Sequence, residues 1–243
     1  MGNYDIQTND GHRVLVGTSG FSYAEWRGTF YPEGLSQKKY LSFYAGHFPT
    51  TEINNTFYRL PTAKLTGGWY AEVPDRFSFT LKLSQKITHI KRLRNVDEEV
   101  AIFFSAAEAL QEKMGPVLVQ LPPNLRKDTA VLEEFLSKFS TLGRLAFEFR
   151  HESWFEAEVY DLLRRYNSAL GVVEKEGDES AAVREVTGPF VYMRLRKGDY
   201  TEPELKEWAG WIKSREADVY CYLKHDELAP VLANRLIEAL VGI

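Results

Sequence analysis

The residues best suited to chemistry in this chain stand at the ends of short apolar runs, each with a polar neighbour two positions away. Glu52 precedes Asn54, Thr80 precedes Lys82, and Glu148 precedes Arg150. Side chains two apart on a β-strand share a face, so each pair is presented to one side. A carboxylate such as Glu52 or Glu148 can act as a general acid or base or can orient a ligand hydroxyl. An inward lysine at a strand end, Lys82, can clamp an anion, form a Schiff base, or serve as a base of lowered pKa. Glu148 beside Arg150 can hold it in an ion pair or grip a ligand with it. Arg194 and Lys224 end two later runs, and the residues after them are basic: Arg196-Lys197 and His225. Charge of one sign focused in a cleft of an otherwise acidic protein suits an anionic ligand, although Arg196 and Lys197 also suit a solvated loop. Gln120, Asn54 and Tyr58 are candidates to hold a ligand in place. Tyr23 and Trp154 are candidate stacking surfaces in loops that follow strand ends.

These residues need a scaffold that brings strand ends together. Eight runs fit: Val14 to Ser19, Thr51 to Asn54, Phe77 to Lys82, Val117 to Leu121, Arg144 to Arg150, Ala169 to Glu174, Phe190 to Arg194 and Val219 to Lys224. Helix-like segments alternate with them, which predicts an α/β, TIM-like (β/α)8 barrel with its chemistry at the C-terminal ends of the strands. A doubly wound open sheet would call for a glycine-rich phosphate turn after the first strand, and Gly17-Thr18-Ser19-Gly20-Phe21 is not one.

Helix boundaries follow from capping signals. Asn95 with Glu98 starts a helix that Gly115-Pro116 stops, and Asp128 caps the next. Ser153-x-x-Glu156 and Thr201-x-x-Glu204 read as capping boxes. Ser36 to His47 and Lys64 to Val73 read as early helices, the second broken at Gly67-Gly68. A further helix is expected near Asp178 to Val186, and the last runs through Leu228, Leu232, Leu236 and Leu240.

At 243 residues, 44% hydrophobic and 26% charged, the chain suits one barrel domain over residues 13–243, preceded by a flexible tail over 1–12. A net charge of -4 gives no bulk attraction to nucleic acid or anionic membrane. The single Cys221 rules out an internal disulfide, and its place in a strand-like run reads as a buried small residue. No apolar stretch approaches a membrane span of ~20 residues, and no signal segment is visible, so a cytoplasmic protein is expected. The five histidines have no ligand spacing, and no metal site is expected from them.

The chain resembles the YecE-like domain of unknown function family (DUF72) from about Val16 to its end. The carriers are Gly17-Thr18-Ser19-Gly20-Phe21-Ser22-Tyr23 with Trp26, and Glu52-Ile53-Asn54-Asn55-Thr56-Phe57-Tyr58-Arg59-Leu60-Pro61. Further along come Lys82, Thr88-His89, Gln120-Leu121-Pro122-Pro123, Glu148-Phe149-Arg150-His151 with Ser153-Trp154, and Tyr192-Met193-Arg194-Leu195. The resemblance implies a TIM-like barrel and no settled activity. Many members resemble Arg-x-His-Gly after the seventh strand and Asn-Asn-Asp after the eighth. Arg194-Leu195-Arg196-Lys197-Gly198 and Lys224-His225-Asp226 make this chain a more basic variant.

The leading expectation is an enzyme (hydrolase, isomerase or lyase) acting on a small anionic, phosphorylated or polyhydroxylated ligand, with Glu52, Glu148 and Lys82 as catalytic groups. Asn54, Tyr58, Gln120, Arg150, Trp154, Arg194, Lys224 and Tyr23 would bind it; the cofactor and the oligomeric state are unknown from sequence. Nucleic-acid binding or phosphodiester processing is the second reading, and a non-catalytic binding barrel the third. A glycosidase would use Glu52 and Glu148 as two carboxylates held ~5–9.5 Å apart.

Overall fold

The computed structural model describes residues 5–175, 182–224 and 227–243. Eight parallel strands close into a barrel in the order β1 to β8: β1 Val14–Ser19, β2 Thr50–Ile53, β3 Ser78–Lys82, β4 Met114–Gln120, β5 Leu145–Glu148, β6 Ala169–Lys175, β7 Phe190–Arg196 and β8 Asp218–Leu223. The helices are α1 Tyr40–Ala45, α2 Asn55–Tyr58, α3 Ala63–Glu72, α4 Asp97–Ala107, α5 Thr129–Phe139, α6 Ala157–Arg165, α7 Glu202–Lys213 and α8 Ala229–Val241. The eight expected strands are all present, because their runs of branched and aromatic residues can be buried on both faces.

One apolar layer lies between sheet and helices, where Val16, Phe79, Val119, Phe147, Leu195 and Leu223 meet Leu132, Leu163, Ala209 and Leu236. The barrel interior has its own small apolar cluster of Leu15, Leu118, Ala146, Ala169, Phe190, Tyr192, Tyr220 and Tyr222. Above part of that cluster the interior turns polar. The Tyr222 hydroxyl lies 2.8 Å from Thr50 Oγ1 and 2.7 Å from Thr80 Oγ1, and Thr50 Oγ1 donates to the Ser78 carbonyl at 2.8 Å.

Strand β1 packs tightly on β2 because Gly17 has no side chain: a Cβ there would stand 2.0 Å from the Thr50 carbonyl oxygen. Gly17→Ala must therefore separate the two strands. It is expected to destabilise by about 1–3 kcal/mol, the range of forced overpacking, read as a lower urea midpoint with unchanged m-value.

Several local expectations are corrected. Residues 5–12 of the expected loose tail are docked: Ile6 and Thr8 are buried, the Val14 N–H donates to the Ile6 carbonyl, and the Asn9 N–H donates to the Lys213 carbonyl. Helix α3 runs unbroken through Gly67 and Gly68, since burial of Thr66 and Trp69 and the Thr62 cap outweigh two weak helix formers. Asn95 does not cap α4. It has a left-handed backbone (φ 51°), and Val96 occupies the cap position. Met114 and Gly115 belong to β4 rather than to a helix end. Ser153 accepts a hydrogen bond from the Lys127 N–H, so Glu156, not Ser153, precedes α6. The Asp128 cap and the Thr201–Glu204 capping box form as expected. Of the helix expected near 178–186, residues 178–181 lie outside the described residues, and 182–186 are irregular.

No helix among the described residues is long and apolar enough to cross a membrane.

Candidate functional site

The barrel register pairs residues of five strands beneath the mouth, and two of them are carboxylates that meet a single guanidinium. Ser19 pairs with Glu52, Glu52 with Thr80, and Gln120 with Glu148. From β7, on the opposite wall, Arg194 reaches across. Its Nη2 donates to Glu52 Oε1 at 2.9 Å, and its Nη1 donates to Glu148 Oε2 at 2.5 Å. All three side chains are buried, at 4%, 0% and 2% exposure.

Each of the four carboxylate oxygens has at least one donor. Ser19 Oγ and Asn54 Nδ2 each donate to Glu52 Oε1 at 2.9 Å, and the Tyr192 hydroxyl donates to Glu52 Oε2 at 2.5 Å. Gln120 Nε2 donates to Glu148 Oε1 at 2.7 Å. Burial opposes ionisation of Glu52, but the Arg194 charge and the Tyr192 and Asn54 hydrogen bonds outweigh it and hold the carboxyl down at about 2. Glu148 is shifted in the same direction: burial raises it, and Arg194, Arg196 and Gln120 more than compensate. Both are therefore fixed anions at neutral pH. Neither has the raised pKa that a glycosidase needs in its general acid, and both grip one guanidinium instead of flanking an open space.

Above this floor opens a cavity of about 520 Å³ lined by Tyr23, Asn54, Phe57, Tyr58, Lys82, Gln85, His89, Gln120, Arg150, Arg194 and Arg196. Among the described residues, four cationic side chains face it and no carboxylate lines it. Local structure explains how each is held. Gly20, with φ 92°, lets Tyr23 fold back so that its hydroxyl donates to the Ser19 carbonyl at 2.8 Å. Burial, followed by the Glu52 charge, pushes the Tyr23 phenol up to about 12. Helix α2 is pinned to the end of β3 by Thr56 Oγ1, which donates to the Lys82 carbonyl at 2.7 Å. That places the Phe57 ring under the Lys82 ammonium, 4.1 Å from Nζ to the centroid. His89 stands edge-on to the same ring at 4.9 Å. Burial lowers the His89 pKa, and the Lys82 and Arg150 charges lower it further.

The structure thus brings together Asn54, Tyr58, Lys82, Gln120, Arg150, Arg194 and Tyr23 around one cavity, with Glu52 and Glu148 beneath it. Two expected residues stand elsewhere. Trp154 is buried, stacked on Phe149 at 4.6 Å and 2°, with its indole N–H donating to the Leu125 carbonyl. It borders a second cavity beside Arg92, Arg94 and Arg126 rather than the mouth. Lys224 follows β8, half-buried, outside the residues that line the mouth.

Arg150 is half-exposed, and its Nε lies 4.0 Å from Glu148 Oε1. Strand β5 ends at Glu148, so the two-residue phase does not carry Arg150 inward, and it stands at the rim. Lys197 is not a solvated end: it pairs with Glu174 at 3.1 Å and Glu204 at 2.7 Å.

Arg196, Phe57, Gln85 and His89 were missing from the expected site. Arg196 was legible, since it follows Arg194 by two on one strand and shares its inward phase. The other three stand on the helical turns after β2 and β3, where strand alternation no longer applies. His225 and Asp226 lie outside the described residues. Among the described residues no group of three or more His, Cys, Asp or Glu could hold a metal ion.

A family model described as "Protein of unknown function DUF72" matches residues 15–242. The UPF0759 protein YunF of Bacillus subtilis (strain 168) is 26% identical over 174 residues, which span 68% of this chain and 61% of that protein. The UPF0759 protein YecE of Escherichia coli (strain K12) is 30% identical over 116 residues, 47% of this chain and 43% of that protein. The aligned stretches thus cover less than two thirds of either relative. Among solved structures, a DUF72 family protein from Thermotoga maritima MSB8 has a TM-score of 0.77 at 27% identity, covering 95% of this chain and 98% of that one. A DUF72 family protein from Enterococcus faecalis V583 has the same TM-score at 19% identity, covering 94% and 95%, and so shares the fold. With its eight-stranded barrel and a family match over nearly its whole length, the chain belongs to the DUF72 family, the YecE-like proteins of unknown function.

Proposed function

We propose that the barrel mouth binds a small anionic ligand, phosphorylated or polyhydroxylated, and acts on it as an enzyme. The observation that carries this reading is the convergence of Lys82, Arg150, Arg194 and Arg196 on one cavity that no carboxylate among the described residues lines. Glu52 and Glu148 balance Arg194 from below, which leaves Lys82, Arg150 and Arg196 to face the ligand. Cations held in a recess with low-dielectric walls attract an anion far more strongly than the same charges spread over a surface. The cavity is of the size that small-molecule sites have, ~300–1,000 Å³. Asn54, Gln120, Tyr23 and Tyr58 add the few polar groups that fix orientation.

The test is thermal stability of wild type, Arg150→Ala and Arg196→Ala with phosphate, sulfate, sugar phosphates, nucleotides and short single-stranded DNA. A small anion at 100 times its dissociation constant is expected to stabilise wild type by ~2.7 kcal/mol, and each substitution to reduce the gain at fixed ligand concentration. No shift with any anion sinks the reading.

One observation favours a second reading, single-stranded nucleic acid: Tyr58 is 73% exposed at the rim with Phe57 and Tyr23 beside it, a surface on which bases could stack. A shift with DNA alone, falling steeply with salt, would replace the first reading by this one.

A further inference from the structure

We propose that Lys82 is an imine-forming nucleophile whose substrates are anionic aldehydes or ketones. The proposal rests on the anion reading of the mouth and goes beyond it by naming the reacting atom and the functional group it attacks.

Lys82 stands at the C-terminal end of β3 and lines the mouth cavity. Two buried carboxylates stand on neighbouring walls of the barrel, yet among the described residues the Lys82 ammonium makes no hydrogen bond or ion pair. The reason is geometric: Arg194 takes one oxygen from each of Glu52 and Glu148, and Ser19, Asn54, Tyr192 and Gln120 occupy the rest. The contact left to Nζ is the face of Phe57 at 4.1 Å. A strongly hydrated ammonium has been placed on an aromatic ring beside guanidinium groups, with its natural counter-ions committed elsewhere. A structural lysine would be paired.

The groups that face it are Glu52 from β2, Glu148 from β5, Arg194 and Arg196 from β7, and His89 and Arg150 from the loops. Burial and Arg194 lower the Lys82 pKa more than the two carboxylates raise it, bringing it to about 8. At pH 7 about a tenth of the molecules then carry a free amine, roughly 300-fold more than for an ordinary lysine. Desolvation beside other cations is an established way to activate a lysine amine.

The step balances without a co-reactant. The Nζ lone pair adds to the carbonyl carbon, and the proton that Nζ then sheds is passed through solvent in the mouth to the alkoxide oxygen, giving a neutral carbinolamine. A second proton from solvent lets that hydroxyl leave as water, and the nitrogen lone pair forms the carbon–nitrogen double bond of an iminium that keeps the remaining N–H. Arg150 and Arg196 select a substrate whose carboxylate or phosphate lies next to the reacting carbonyl.

The experiment is reductive trapping. Protein is incubated at pH 7 with glyoxylate, or with neutral propanal, in the presence of cyanoborohydride, and labelled lysines are located by peptide mass spectrometry. Lys82 is expected to label at least tenfold faster than the surface lysines with glyoxylate, with a rate that rises from pH 6 to 9 about a midpoint near 8. It should label far more slowly with propanal. Lys82→Arg keeps the charge but cannot form the imine, and should lose the fast label.

Labelling of Lys82 no faster than of the surface lysines overturns the proposal. If phosphate still stabilises wild type in that case, the anion site itself stands. Equal rates with glyoxylate and propanal keep the nucleophile and overturn the anionic substrate class. Persistence of the fast label in Lys82→Arg assigns it to another residue and also overturns the proposal.

Discussion

Arg194→Met is expected to cost about 3–5 kcal/mol of folding stability, the range observed when one partner of a buried ion pair is removed. The loss does not measure what Arg194 contributes by attraction. It measures two carboxylates, 0% and 2% exposed, left without the guanidinium that bridges them and with only the more distant charges of Lys82, Arg196 and Arg150 nearby. Their remaining donors, Ser19, Asn54 and Tyr192 on one and Gln120 on the other, cannot neutralise two charges. Glu52 or Glu148 would respond by binding a proton, so the variant should also show a new titration near neutral pH. Equilibrium urea unfolding checks the magnitude. Because the single variant can fail to fold, the triple variant Glu52→Gln, Glu148→Gln, Arg194→Met is the companion: with all three buried charges of this trio gone, it should recover most of the stability. A single variant within about 1 kcal/mol of wild type would show that the three groups do not form the observed ion pairs.

The second large effect is acid lability. The folded state holds the Glu52 carboxyl at about 2, below its ordinary 4.5, and lowers Glu148 too. A group whose pKa falls on folding adds stability above its unfolded pKa and loses it as pH drops towards the folded one. For Glu52 the shift corresponds to about 3 kcal/mol, fully present above about pH 5 and lost progressively as pH falls towards 2. Unfolding free energies at pH 7, 5, 4 and 3 should therefore be level from 7 to 5 and decline below. Glu52→Gln should flatten the decline, because glutamine fills the same place without a proton to gain. A decline of equal steepness in that variant would assign the acid response to other carboxylates.

Much of this arrangement was legible in the sequence. The strand runs were, because parallel strands buried on both faces must be apolar and branched. So was the inward phase of Glu52, Lys82, Glu148 and Arg194, because period-two alternation leaves two choices and helices cover the other face. What could not be read was which charge meets which. Arg194 is 142 residues from Glu52 and 46 from Glu148, and only barrel closure and register bring them together. The expected Glu148–Arg150 pair forms only at 4.0 Å, because β5 ends two residues earlier than the alternation required and leaves Arg150 at the rim. Trp154 shows the same limit for aromatics: a tryptophan after a strand reads alike whether it caps a mouth or, as here, stacks on Phe149.

The hydroxyl row in the barrel interior has one further consequence. Thr50 has a single hydroxyl proton, and it goes to the Ser78 carbonyl, so the Thr50–Tyr222 bond must use the proton of Tyr222. Tyr222 then has none left, and the bond to Thr80 must use the proton of Thr80. The order runs one way, from Thr80 through Tyr222 and Thr50 to a backbone oxygen on the strand where it began. A row with one permitted order and a carbonyl at its end has no vacancy for a proton to hop into. These three hydroxyls are a closed account: they brace β2, β3 and β8 against one another, and they can neither donate to nor drain the charged layer above. This row therefore offers Lys82 no internal path for a proton.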